Sequence, residues 1–232
     1  MRREARARYR RASLYEALDR ADPEPIVAAL EPLVTERRRE RLRAVLGARL
    51  ASVVVVMDAP HDPHNGAAVL RSCDAFGVQW VHVVARTEPF SASNAVAKGA
   101  ERWVDVVEHT TTAEAVRALR AGEHRLVGAH PEGELVPADL AGIARLALVL
   151  GNEHDGISEE LAAACAARVR VPMRGFVDSL NVSVTAAVLL GAATAGRRGD
   201  LEPLTLRRLY ARGLVLSVPR SLDVLRAMGV VL

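Results

Sequence analysis

The sequence predicts an α/β domain, a parallel sheet flanked by helices, with helical extensions at its N- and C-terminal ends. Short runs of β-branched and aliphatic residues recur through the middle of the chain, as in strands covered on both faces. Stretches with helical periodicity separate them, and strands alternating with helices make parallel crossovers. Half of the 232 residues are hydrophobic, which is enough to cover such a sheet.

The elements follow in order. Residues 1–34 read as a helical appendage: Ser13-Leu14-Tyr15-Glu16 has capping-box spacing, and Pro23, Pro25 and Pro32 break the pattern beyond it. Glu36 to Leu50 reads as an amphipathic helix with Leu42, Val45, Leu46 and Leu50 on one side and arginines on the other. The predicted strands are 52–57, 78–84, 103–107, 125–129, 146–150 and 169–171. The predicted helices between and after them are 67–76, ending at Gly77, then 111–120 behind a Thr111/Glu114 capping pair, 158–167 and 182–195. The domain division is 1–50, a basic N-terminal extension; 51–196, the α/β domain; and 197–232, a basic C-terminal extension.

Charge is distributed unevenly. Residues 1–49 hold 13 arginines against 8 acids, and residues 197–232 hold 7 against 3, while the middle is acidic. Basic ends on an acidic middle point to arms that meet a polyanion. Aromatics make up only 3% of the chain, which argues against single-strand binding by stacked rings. No apolar run reaches membrane-span length, and the arginine-rich N-terminus lacks the apolar segment of a secretory signal. A cytoplasmic protein without membrane partners is expected. Cys73 and Cys165 are the only cysteines, so a disulfide framework or four-cysteine zinc site is excluded.

Three polar loops follow predicted strands, where open α/β sheets bind ligands. The first, His61-Asp62-Pro63-His64-Asn65-Gly66, puts Asn65 where a helix cap is expected and Arg71 about two turns further on. The second carries Gly151, Asn152, Glu153 and Gly156, and the third Gly175, Asp178, Ser179 and Asn181. His61 and His64 bracket Asp62, but without a further strong ligand this spacing does not make a metal site, and no metal is expected. Walker, dinucleotide and nucleophile-elbow glycine patterns are all missing. Taken singly, Asn65 and Ser179 read as loop caps.

The three loops in this order resemble the motifs of the SpoU/TrmH family of RNA ribose 2′-O-methyltransferases. The matching stretches are Asn65-Gly66-Ala67-Ala68-Val69-Leu70-Arg71, Leu150-Gly151-Asn152-Glu153 with Gly156-Ile157, and Val171-Pro172-Met173 through Ser179-Leu180-Asn181-Val182-Ser183. The similarity covers about residues 36–196. The basic helix before Ala51 and the tail 204–230 are similar to the tRNA guanosine branch, whereas residues 1–34 have no counterpart in it. The resemblance implies a C-terminal trefoil knot (SPOUT-type), a homodimer formed through it, and S-adenosylmethionine bound in a bent shape by Ala129, Gly151, Val171 and Leu180. It implies methyl transfer to a ribose 2′-hydroxyl of RNA, a tRNA D-loop guanosine first and ribosomal RNA as the alternative. A non-catalytic RNA-binding dimer is the reading from another class. Arg71 matches the family's catalytic arginine, with Asn65, Glu153, Ser179 and Asn181 as its partners in positioning. Two positions depart from the family pattern. The glycine of the first motif stands at Gly66 rather than at position 67, which is Ala67, and Arg174 occupies a place where apolar residues are common.

Overall fold

The computed structural model describes residues 14–85, 90, 97, 99–152 and 154–232. They form two compact units, one of residues 14–48 with 200–232 and one made of the described residues between 49 and 199.

The larger unit holds six parallel strands: β1 (Val53–Asp58), β2 (Trp80–Val84), β3 (Asp105–His109), β4 (Arg125–Ala129), β5 (Leu146–Leu150) and β6 (Ala167–Val169). Their order across the sheet is β3-β2-β1-β5-β4-β6. The β1–β5 pair is therefore the point where connections leave in opposite directions, and ligands of open α/β sheets bind beside such a point. Side chains alternate across β1 as the two-residue strand period requires. Val53, Val55 and Met57 join one buried cluster, and Val54 and Val56 join another.

The first cluster lies under two helices, Pro63–Ala75 and Val182–Ala193. They supply Ala67, Val69, Leu70 and Cys73 from one, and Ala186, Leu189, Leu190 and Ala193 from the other. The second cluster is closed by Ala115 and Leu119 of helix Thr112–Ala121 and by Leu161 of helix Glu159–Ala164. Arg197 follows the Val182–Ala193 helix. Its guanidinium donates to the carbonyls of Ala144 (2.9 Å) and Ile143 and to the Ser52 hydroxyl (3.2 Å), which ties the chain to the segment before β5.

The smaller unit is helical. Residues 14–20 are helical, followed by α1 (Pro23–Leu30) and α2 (Glu36–Gly47). In the larger unit come α3 (Pro63–Ala75), α4 (Thr112–Ala121), α5 (Glu159–Ala164) and α6 (Val182–Ala193). The chain then returns to the smaller unit with α7 (Pro203–Ser217) and α8 (Ser221–Ala227). Its two chain segments are stapled together. Arg207 pairs with Glu24 through two 2.7 Å bonds, and the buried Arg212 reaches Asp19 at 2.9 Å and lies over the Tyr15 ring. The Tyr210 hydroxyl donates to Glu31 at 2.6 Å.

Several elements differ in their ends from the sequence expectation. The helix of residues 14–20 does end ahead of Pro23 and Pro25, as their positions imply, but a second helix starts at once. The two prolines open α1 behind the Asp22 cap, because the first turn has no use for their missing N–H groups. Helix α3 begins at Pro63 with Asp62 as its cap, not at Ala67, so Asn65 lies inside the first turn and is not the cap. Strand β3 runs 105–109 rather than 103–107, because residues 100–102 form a 3-10 turn just ahead of it. The capping box proposed at Ser13 falls outside the described residues.

Candidate active site

The site is built at the carboxyl ends of β1, β4 and β5. A cavity of about 650 Å³ opens there, a volume suited to a small-molecule ligand. The end of β4 contributes Gly128, Ala129 and His130, and the end of β5 contributes Leu150 and Gly151. The segment after β6 returns across these ends with Val171, Met173, Asp178, Ser179, Leu180 and Asn181. A smaller cavity adjoins it, lined by Met57, Pro60, Asn65 and Gly66, with Leu150, Gly151, Asn152 and Val182 common to both.

The second loop owes its shape to glycine. A Cβ on Gly151 would stand 2.1 Å from the carbonyl carbon of Gly156, so only glycine allows the two backbones to approach. Gly156 takes φ +67°, in the left-handed region that glycine enters freely. Between them Asn152 and Gly156 exchange backbone hydrogen bonds of 3.1 and 3.2 Å. The Asn152 side chain accepts from the N–H groups of His154 (2.9 Å) and Asp155 (2.7 Å), which closes the turn.

The first and third loops meet directly. Asn181 caps α6 by accepting from the Ser183 N–H at 2.8 Å, and its amide donates to the Asn65 side chain at 3.0 Å. The cap is thereby also a bridge to α3. The rings of His61 and His154 approach to 5.8 Å between the first and second loops. Asp62, the α3 cap, is held below the usual carboxylate range, chiefly by the His64 N–H that it accepts. The Cys165 thiol also lines the large cavity. Burial, and next the nearby Asp58 carboxylate, pushes it up to about 11, so it stays a thiol.

Ala129, Gly151, Val171 and Leu180, together with Ser179 and Asn181, all line the large cavity. Asn65 stands at the small one. Arg71 lines neither. It is exposed on α3, and no hydrogen bond or ion pair to it occurs among the described residues. Glu153 lies outside the described residues. Asn152, which the sequence marks as part of the second loop and motif, shapes that loop, whereas Asp58 at the end of β1 carries no signal in the sequence. No cluster of three His, Cys, Asp or Glu side chains able to hold a metal occurs among the described residues. No helix among them is long and apolar enough to cross a membrane.

The comparisons agree with this architecture. The tRNA (guanosine(18)-2′-O)-methyltransferase of Thermus thermophilus is 37% identical over 185 residues, which cover 76% of this chain and 95% of that protein. A solved structure of an Aquifex aeolicus TrmH/SpoU tRNA modifying enzyme superposes with a TM-score of 0.70 at 25% identity, covering 80% of this chain and 98% of that one. The SpoU methyltransferase AviRb of Streptomyces viridochromogenes, in complex with the cofactor AdoMet, superposes with a TM-score of 0.57 at 25% identity, covering 64% and 60%. The model of the SpoU rRNA Methylase family matches residues 52–191. That span holds all six strands and all three loops of the site, and on it the chain belongs to the SpoU rRNA Methylase family.

Proposed function

We propose that the chain transfers the methyl group of S-adenosylmethionine to a ribose 2′-hydroxyl of tRNA, at a D-loop guanosine. The observation that carries this reading is the single cavity wall made by the ends of β4 and β5 and by residues 171–181, with Asn65 joined to it through Asn181. The family membership and the names of the relatives support the chemistry and the substrate.

The cavity suits the cofactor. Its volume is ample, Ala129, Leu150, Val171 and Leu180 offer apolar walls for a purine, and Gly151 and Gly156 of the second loop stand in its lining. S-adenosylmethionine, when bound, supplies an electrophilic methyl group. The chain's part is to bring a ribose to it and to stabilise charge on the attacking oxygen. Arg71 takes the second role. A guanidinium stays protonated, so it acts by orienting and by electrostatic stabilisation, and the hydroxyl proton passes to a phosphate of the substrate. Asn65 and Asn181 fix the ribose side of the site, and the family motifs give Ser179 and Glu153 positioning roles.

The RNA is held by phosphate contacts from the basic helices of the smaller unit. Arg37 and Arg41 are exposed on α2, with no acidic partner among the described residues. The protein works in the cytoplasm as a homodimer. Met173, Phe176, Val177 and Leu180 of the returning segment and Val184 and Val188 of α6 are exposed, an apolar face that a second copy would cover. The chain also folds into a C-terminal trefoil knot, a reading supported by the return of the chain from edge strand β6 past the ends of β4 and β5 to α6, which packs on α3.

Incubation with methyl-labelled cofactor and either total tRNA or ribosomal RNA tests the reading. Label on tRNA that is lost in Arg71→Ala supports it, and label on ribosomal RNA alone overturns the choice of substrate. Cofactor binding with no label on either RNA would favour a non-catalytic RNA-binding dimer.

A further inference from the structure

Asp58 ends β1 and is only 1% exposed. It lines neither cavity. A polar group so buried needs hydrogen-bond partners, and one of its donors is the main-chain N–H of Ser158, 2.8 Å from Oδ2. Ser158 caps α5, its hydroxyl accepting from the Leu161 N–H at 3.4 Å. In an ordinary capping box the third helical residue is Glu or Gln, and it reaches back to the N–H of the cap. Here the third residue is Leu161, fully buried in the core and unable to do so. Asp58, 100 residues earlier in the chain, accepts that N–H in its place.

The effect is to tie the loop 151–158 to β1 at both ends. At its start, Leu150 is paired with Met57 in the β1–β5 ladder. At its end, Ser158 is held by Asp58. Gly151, Asn152, Asp155, Gly156 and Ile157 between these anchors line the large cavity. Asp58 also precedes the loop that leads to Asn65, so one residue stands at the root of both the cofactor side and the ribose side.

We propose that Asp58 is a positioning residue for cofactor binding, completing the α5 capping box across the sheet and thereby fixing the cavity wall formed by Gly151, Asn152, Asp155, Gly156 and Ile157. The proposal rests on the S-adenosylmethionine reading of the cavity. Displacing that wall weakens cofactor binding and leaves the Asn65–Asn181 bridge and the separate Arg71 in place, so the loss falls on the KM for S-adenosylmethionine rather than on kcat or on the KM for RNA.

The test uses the full-length protein with Asp58→Ala, with Ser158→Pro, which removes the N–H at a φ of −60° that suits the ring, and with both. Ser158→Ala keeps the N–H and controls for the hydroxyl. The measurements are steady-state kinetics, S-adenosylhomocysteine binding by calorimetry, and the thermal midpoint. The expected result is a rise of about tenfold in the S-adenosylmethionine KM in each single variant, in line with the cost of small misplacements in a site. The double variant should be no worse than either single one, and Ser158→Ala should stay near wild type in that KM. A folded Asp58→Ala with unchanged cofactor KM and affinity overturns the proposal, as do additive losses or a loss confined to kcat. Should Asp58→Ala fail to fold, Ser158→Pro against Ser158→Ala decides by the same readout. Wild-type protein that binds no S-adenosylhomocysteine defeats the reading of the cavity itself, and the proposal with it.

Discussion

The Asn181 side-chain amide donates to the Asn65 side-chain oxygen at 3.0 Å, across 116 residues of sequence. The same Asn181 oxygen accepts from the Ser183 N–H and hydroxyl and so starts α6. A single residue thus fixes the end of the returning segment, the beginning of a core helix, and the orientation of Asn65. If the two asparagines act as one unit, their losses are not additive. Asn65→Ala and Asn181→Ala should each lower kcat at least tenfold, and the double variant should fall little further. Single-turnover rates of the three variants check this.

Arg71 stands apart from the cavities and is exposed. Its removal should leave the cofactor site intact. Arg71→Ala is expected to lower methyl transfer by about a hundredfold or more, the size of effect seen when a charge-stabilising donor is lost. S-adenosylhomocysteine affinity should stay within twofold of wild type. Arg71→Lys should recover little, because an ammonium does not present the guanidinium's planar fork of donors. Parallel calorimetry and initial rates separate the two effects.

Gly151 admits no side chain, since a Cβ there would overlap the Gly156 backbone. Gly151→Ala should abolish detectable cofactor binding and destabilise the fold by about 1–3 kcal/mol, the usual cost of overpacking. Gly175 has open space around it, so Gly175→Ala serves as the comparison and should change the thermal midpoint little.

A pH dependence follows from the half-buried His82 of β2 and the buried His109 of β3. His82 and His109 lie with ring nitrogens 2.9 Å apart and rings stacked. Burial, and then the neighbouring His109 and His124, lowers His82 to about 4, and burial lowers His109 as well. Both are therefore neutral in the folded protein and bind protons more readily when unfolded. Their contribution to stability is present above about pH 6.5 and is lost as pH falls, for His82 toward about 4. Thermal midpoints measured between pH 7.5 and 5 should decline, and His82→Leu should flatten the decline.

Much of this arrangement is written locally in the chain. The β1 and β5 runs are continuous and β-branched or aliphatic, so the strands declare themselves, and the loops after them carry polar residues that no core would keep. The start of α3 is harder to read, because His64, Asn65 and Gly66 have poor helix propensity and look like a loop. The Asp62 cap and Pro63 at the first helical position override that preference. The Asp58–Ser158 and Asn65–Asn181 bonds are not legible at all, since each joins residues 100 or more positions apart. The union of the two chain ends in one helical unit is hidden for the same reason. Its Arg207–Glu24 and Arg212–Asp19 pairs also neutralise arginines that composition alone would assign to a polyanion.

The most direct test of the central claim is to map the modified nucleotide. Transfer RNA treated with the protein and S-adenosylmethionine, then digested and analysed by mass spectrometry, should contain one new 2′-O-methylguanosine within the D-loop, absent when Arg71→Ala protein is used. A methyl group on a base, or at a ribose outside the D-loop, or no modification of tRNA by protein that binds the cofactor, would contradict it.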